Sequence, residues 1–447
     1  MKKLISLLII LFAGFNYLAN AQFSTIYDFT GNDAFTGSEP ELGQFISDGT
    51  YLYGMTYYGG TYNKGCVFKI RISDNSYSII LSFDGITNGW HPEGALISDG
   101  TYLYGMTGGN GDNDKGNIFK IQISNNVYTK MLDFDGTNGR YPCSSLIIDG
   151  MYLYGITHLG GSNSMGTIFK IQIDNNAFTK IHDFTNNTNG YYPNSSLLSD
   201  GTYLYGMTSS GGTYNKGTVF KFKISDNTFT KILDFNGTNG NCPWGSLISD
   251  GTYLYGMTPS GGVSNMGTIF KIQISNNAYT KIYDYTDITI GKEPYHSLIS
   301  DGTYLYGLTN MGGQNNKGTV FKVKISDNTL TKLLDFDGTS KGSYPRGSLF
   351  SDGTHLYGST SHGGTYDLGC IFKIQISNNQ YSKLRDLVGA INGSNPNGAL
   401  ISDGTYLYGM TLSGGNKDLG TVFKFNIINN QYTKLLDFDG ASNGSNP

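Results

Sequence analysis

An Asp-Gly pair recurs eight times along this chain. It stands at Asp48-Gly49, Asp99-Gly100, Asp149-Gly150, Asp200-Gly201, Asp250-Gly251, Asp301-Gly302, Asp352-Gly353 and Asp403-Gly404. Successive pairs are 50 or 51 residues apart. A repeat of that period means stacked or radial supersecondary units, because one unit of ~50 residues cannot bury enough apolar surface to stand alone. By size, 447 residues suggest about three domains. The unbroken repeat instead predicts a single domain over residues 22–447.

Each copy divides into four extended segments. In the fourth copy these are a (Ser196 to Ser199), b (Thr202 to Thr208), c (Thr218 to Ser225) and d (Thr228 to Phe235). Asp200-Gly201 joins a to b and reads as a type I′ hairpin with both residues at φ > 0. Asp226-Asn227 joins c to d. Along segment c, Phe220, Phe222 and Ile224 alternate with Val219, Lys221 and Lys223, as in a strand packed on both faces. The chain carries 63 Gly, 34 Tyr and 25 Phe, and no long stretch of the mature chain has a helical apolar period. The expectation is therefore an all-β fold: an eight-bladed β-propeller of four-stranded antiparallel blades, about 50 residues per repeat. Gly206 and its copies sit in mid-strand, which predicts close approach of blades near the axis. The repeated Lys of segment c (Lys221 and its copies) predicts a stem laid on the next blade with the amine in water.

Met1 to Ala21 reads as a secretory signal: Lys2 and Lys3, an apolar run from Leu4 to Phe15, then Ala19-Asn20-Ala21. Cleavage is expected before Gln22, giving a secreted or cell-surface bacterial protein with no membrane span in the mature chain. A lone d-like segment, Phe23 to Phe29, is placed to close the ring on the last blade. The last copy also brings its own d segment, and the chain stops at Asn446-Pro447 in phase with a further copy. Either one terminal piece is redundant or the sequence belongs to a longer protein. The four cysteines follow no disulfide or zinc spacing: Cys66 and Cys370 replace the threonine that opens segment c, while Cys143 and Cys242 fall between repeats. Net charge is −4, so nucleic acid is not an expected partner.

The motif Leu204-Tyr205-Gly206-Met207-Thr208, then Gly211-Gly212, then Gly217-Thr218-Val219-Phe220-Lys221 resembles the bacterial GloVer-type tandem repeat, and more loosely kelch. The resemblance covers nearly all of the mature chain. It implies a propeller and an exported protein, and it brings no catalytic residues. Members often end in an anchoring or sorting segment, which this sequence does not carry.

Constancy among copies marks positions that serve the blade, and variation marks positions free for something else. The a–b and c–d turns share one face and are monotonous. The b–c and d–a loops share the other and are varied. Six residues before each anchor Asp stand Leu42, Glu93, Cys143, Asn194, Trp244, Tyr295, Arg346 and Asn397. With segment a innermost, these ring one mouth of the central channel. Tyr57, Tyr58, Tyr62, His158, Tyr214, His362 and Tyr366 add to the same face. Aromatic, amide and charged side chains around a concave mouth suit a polar ligand such as a glycan. The expectation is a non-catalytic binding module for a polysaccharide or cell-surface protein, without cofactor or metal. The competing readings are neutral drift of exposed loops, a carbohydrate-active enzyme or its propeller portion, and a structural repeat region of a larger surface protein. Asp-x-Asp-Gly at Asp133 to Gly136 resembles the start of a calcium loop, but the later ligands are missing and a strand-end turn is expected.

Overall fold

The computed structural model describes residues 45–109, 115–185, 188–440 and 442–447. These form eight antiparallel sheets, each with four strands in chain order. In blade 4 the last three strands are Tyr203–Ser210, Thr218–Lys223 and Thr228–Asp234. The first strand is interrupted: Leu198–Ser199 and Tyr191–Pro193 both pair with Tyr203–Ser210. In blades 2 and 7 it runs unbroken, Trp90–Ser98 and Ser343–Ser351, with a register shift after Glu93 and after Arg346. In these two blades the ring positions expected in a loop, Glu93 and Arg346, therefore lie on the first strand. The signal segment 1–21 and the closing segment 23–29 lie outside the described residues.

The core lies between blades. Tyr205, Met207, Val219 and Phe235 of blade 4 pack on Leu247, Leu254, Phe270 and Ile272 of blade 5. The same set recurs around the ring, and Tyr408, Met410, Val422 and Phe438 of the last blade pack on Leu52, Phe68 and Ile70 of the first. Burying each such side chain contributes roughly 1.5–3 kcal/mol. The inner strands are also stitched sideways. Ala95 N, Ser145 N, Ser196 N and Ser246 N donate to the hydroxyls of Ser145, Ser196, Ser246 and Ser297, one blade further on.

Closure of the ring uses the far end of the chain. Tyr58 N donates to Ser445 O at 3.3 Å and Ser445 N donates back to Tyr58 O at 3.0 Å. Arg140 and Leu159 make the same bridge inside blade 3. The first strand of blade 1 is thus shared between Ile46–Ser47 and the residues before Pro447.

Three local expectations need correction. First, the a–b turn is not type I′. Gly49 and its copies have φ of 60–89°, but no anchor Asp has positive φ. Asp48 N donates to Tyr51 O, so Gly-Thr forms the tip, as in a type II′ turn with glycine first. The Asp carboxylate does other work: Asp48 Oδ1 accepts from Thr50 N and Tyr51 N, and Oδ2 accepts from the Tyr53 hydroxyl at 2.7 Å. Second, Gly206 faces the ring of Phe220 in its own blade. A Cβ there would lie 2.5 Å from Phe220 Cζ and 3.1 Å from Leu197 Cδ2. Crowding comes from the cross-strand phenylalanine rather than from neighbouring blades at the axis. Third, six of the segment-c lysines do not leave the amine to water alone. Lys221 Nζ stands 4.9 Å from the Tyr203 ring centroid and donates to Asn277 Oδ1 in the next blade at 3.0 Å. That Asn sits at φ 61° in its c–d turn. Lys424 to Asn75, at 2.7 Å, makes the same bond across the closure.

Candidate functional site

The recurring charges are spent within the repeat. The Asp that ends the fourth strand of the blade (Asp234) pairs with Lys231 at 2.6 Å and accepts from Thr213 N and Oγ1, tying the outer strand to the b–c loop. The Asp-x-Asp-Gly carboxylate Asp135 accepts from Thr137 N and Asn138 N, an Asx-type turn. Among the described residues no group of three or more His, Cys, Asp or Glu could hold a metal ion.

The ring residues divide into two groups, and Leu42 lies outside the described residues. Glu93, Asn194 and Asn397 are buried. Glu93 folds back over strand b: a Cβ on Gly108 would meet Glu93 Oε1 at 2.5 Å. Burial pushes its carboxyl up to about 8, so it is protonated at neutral pH. Asn194 Nδ2 donates to Ser209 Oγ at 3.2 Å. Cys143, Trp244, Tyr295 and Arg346 are half-buried and keep surface for a ligand. Tyr57 and Tyr58 leave the hub and pack on the next blade. Tyr57 stacks on His91 at 4.0 Å between centroids, and Tyr58 meets the same ring edge-on at 4.7 Å. Burial, with Lys64 nearby, pushes the His91 imidazole down to about 4.

His91 belongs to a second variable ring that the sequence reading passed over. The residue just before the loop proline is His91, Tyr141, Tyr192, Cys242, Glu293, Tyr344, Asn395 and Asn446. Every one has φ between 49° and 59°. Each N–H donates to a b–c loop carbonyl of the preceding blade, at 2.8–3.2 Å, from His91 to Lys64 through Tyr344 to Lys317. Aromatic residues in this region cost about 1–3 kcal/mol each. The interblade hydrogen bond holds them there, with side chains presented at the junction. Their signal in the sequence was variation next to a proline, the same signal that marked the first ring.

The junction between blades 6 and 7 holds a cleft. Between blades 6 and 7, Asn310, Met311, Tyr344, Arg346 and His362 line a cavity of about 150 Å³. Ser361 Oγ lies 2.9 Å from Tyr344 O and 2.9 Å from His362 Nδ1. The hydroxyl donates to the carbonyl, so His362 donates to it through Nδ1–H. Lys317 Nζ stands 5.0 Å from the Tyr344 ring. No lining residue is acidic.

Fold and site together define a tandem-repeat propeller with a constant frame and one varied face. The family model for the Gloeobacter/Verrucomicrobia repeat matches residues 14–204, 134–321, 196–355 and 340–447. The chain belongs to that family. A comparison with curated proteins finds no match. Among solved structures the chain is similar to Porphyromonas gingivalis dipeptidyl peptidase 4, with 10% identity, a TM-score of 0.54, and 91% of this chain and 60% of that one covered. It is also similar to a puromycin-hydrolyzing peptidase of Mycobacterium tuberculosis, with 10% identity, a TM-score of 0.50, and coverage of 86% and 58%. The chain spans less than two thirds of either peptidase. At this identity the likeness shows the fold alone.

Proposed function

We propose that the protein is an exported, non-catalytic binding propeller that holds a glycan against the face of the b–c and d–a loops. The supporting observation is how the repeat allots its side chains. Recurrent charges bond inside or between blades, while residues that differ from blade to blade collect on one face and line the Arg346 cleft. Half-buried Trp244 and Tyr295 offer aromatic surface on the same ring, and aromatic faces with a few polar groups suit sugars. Polysaccharide or a glycosylated surface protein is the partner. A glycosidase would need two carboxyl groups ~5–9.5 Å apart, and Glu93 is the only acid at the eight ring positions. Among the described residues no helix is long and apolar enough to cross a membrane.

The double substitution Trp244→Ala and Tyr295→Ala is expected to abolish retention on a glycan array while leaving the thermal transition in place. Unchanged retention would remove the binding face from the ring. Release of reducing ends from an incubated polysaccharide would favour a carbohydrate-active enzyme instead.

A further inference from the structure

The fourth strand is the edge of every blade, paired on one side only. Such an edge offers a row of N–H and C=O groups to any other strand, and charged side chains, Lys above all, guard against that pairing. Seven of the eight edges carry a Lys with an Asp three residues later. The two are ion-paired in each, from Lys130 and Asp133 of blade 2 to Lys434 and Asp437 of blade 8. Six pairs lie at 2.6–2.8 Å, and Lys281 and Asp284 form the seventh. Blade 1 has Ile79 and Ser82 at these places. Its edge, Tyr77–Ser82, reads Tyr-Ser-Ile-Ile-Leu-Ser, with no charge, Gly or Pro. A short uncharged apolar segment of that kind on an open edge is prone to pair with another strand.

Blade 1 keeps the structural work of the missing pair and loses only its charge. Ser82 Oγ accepts from Thr61 N and from Thr61 Oγ1, both at 3.3 Å. That is the tie to the b–c loop that Asp234 makes to Thr213 in blade 4. Ile79 takes up apolar contact with blade 8, where Lys180, Lys281 and Lys332 donate to a turn carbonyl of the preceding blade. Ile80 and Leu81 pack partly against the cluster shared with blade 2. All three stay half-buried, and Ser78 is exposed. Apolar surface therefore remains along an edge that nothing charged protects.

A second copy of this chain is the occupant that the edge selects. Among the eight edges, that of blade 1 is the one that meets Ile79, Ile80 and Leu81 without setting a Lys or an Asp against them. Antiparallel pairing about a two-fold axis brings these three residues of one copy against the same three of the other, as an isologous contact requires. Apolar cross-strand neighbours of this kind stabilise a sheet. With one unguarded edge per chain, assembly stops at two. A six-residue edge is a small contact, so the pairing belongs at the weak end of protein interfaces. It uses the outer strand rather than the varied loops, and it leaves the varied face of both copies open.

We propose that the edge strand Tyr77–Ser82 of blade 1 pairs with the same strand of a second copy, joining two propellers rim to rim. Sedimentation velocity of the full chain, from micromolar to millimolar concentration, is expected to show a reversible monomer–dimer equilibrium. Ile79→Lys with Ser82→Asp writes the pair of the other seven blades into blade 1. That variant should keep the melting temperature of the dilute monomer while raising the dimer dissociation constant by roughly tenfold or more. Ser78→Lys puts a charge at an exposed position of the same strand and is expected to have the same effect. A monomer at every concentration, whether the edge is bare or covered by another part of the chain, would overturn the assignment. So would a dimer that both variants leave intact, since its contact would lie elsewhere.

Discussion

Glu93→Gln is expected to stabilise the folded protein by roughly 3 kcal/mol at pH 7. The Glu93 carboxyl is raised from its usual 4.5 to about 8 by burial alone. Between those two values the unfolded chain releases a proton that the folded chain keeps. Folding therefore becomes less favourable as pH rises, at about 1.4 kcal/mol per unit. Glutamine has the shape of the protonated acid and does not titrate. The denaturation midpoints of parent and variant should nearly coincide at pH 4, diverge through neutrality, and hold a constant gap above pH 8. Parallel midpoints across that range would mean that Glu93 is solvated and that the inner strand does not cover it. The contrast with Arg346 is instructive. Both occupy the same ring position, yet Glu93 is folded over Gly108 and closed off, while Arg346 borders a cavity.

Asn117→Thr is expected to raise stability by about 2 kcal/mol. Five of the other copies open segment c with Thr, whose hydroxyl meets the Thr that ends segment b; Thr208 and Thr218 lie 2.9 Å apart. Asn117 is wholly buried, and neither its Nδ2 nor its Oδ1 has a partner. A threonine there would restore the pair with Thr107 and remove two orphaned atoms. The rise would appear in the melting temperature of the single variant. A fall would mean that the amide is satisfied, contrary to its enclosed setting against Thr107 and Gly89.

The architecture was legible because the repeat is written eight times, so each strand could be read from eight sentences at once. What escaped was the reason behind several constant residues. Asp-Gly predicted two residues at φ > 0, but the carboxylate of Asp48 holds two N–H groups and the Tyr53 hydroxyl, and only Gly49 turns left-handed. A side chain acting on its own turn cannot be told from a backbone preference by composition alone. Gly206 looked like a contact between blades because periodicity does not say which neighbour fills the space; the answer was Phe220 across the same sheet. Lys221 looked solvated because its partner, Asn277, lies in another copy. At the site, Arg346, Trp244 and Tyr295 are half-buried, and the burial of Glu93, Asn194 and Asn397 was not visible in the varied column.

Everything argued for the varied face depends on eight sheets meeting in a ring. Tyr58 and Ser445 exchange two backbone hydrogen bonds across the closure, and such pairs have Cα atoms about 5.5 Å apart, within the ~4.4–6.8 Å that a disulfide spans. The direct test is Tyr58→Cys with Ser445→Cys, in a background where Cys66 and Cys370 are Thr and Cys143 and Cys242 are Ser. Under mild oxidation the closed ring gives a monomer with both thiols lost and a single cross-linked peptide joining the first blade to the last. Two free thiols, or cross-links only between molecules, would show that the ends do not meet and that there is no closed ring to carry a binding mouth.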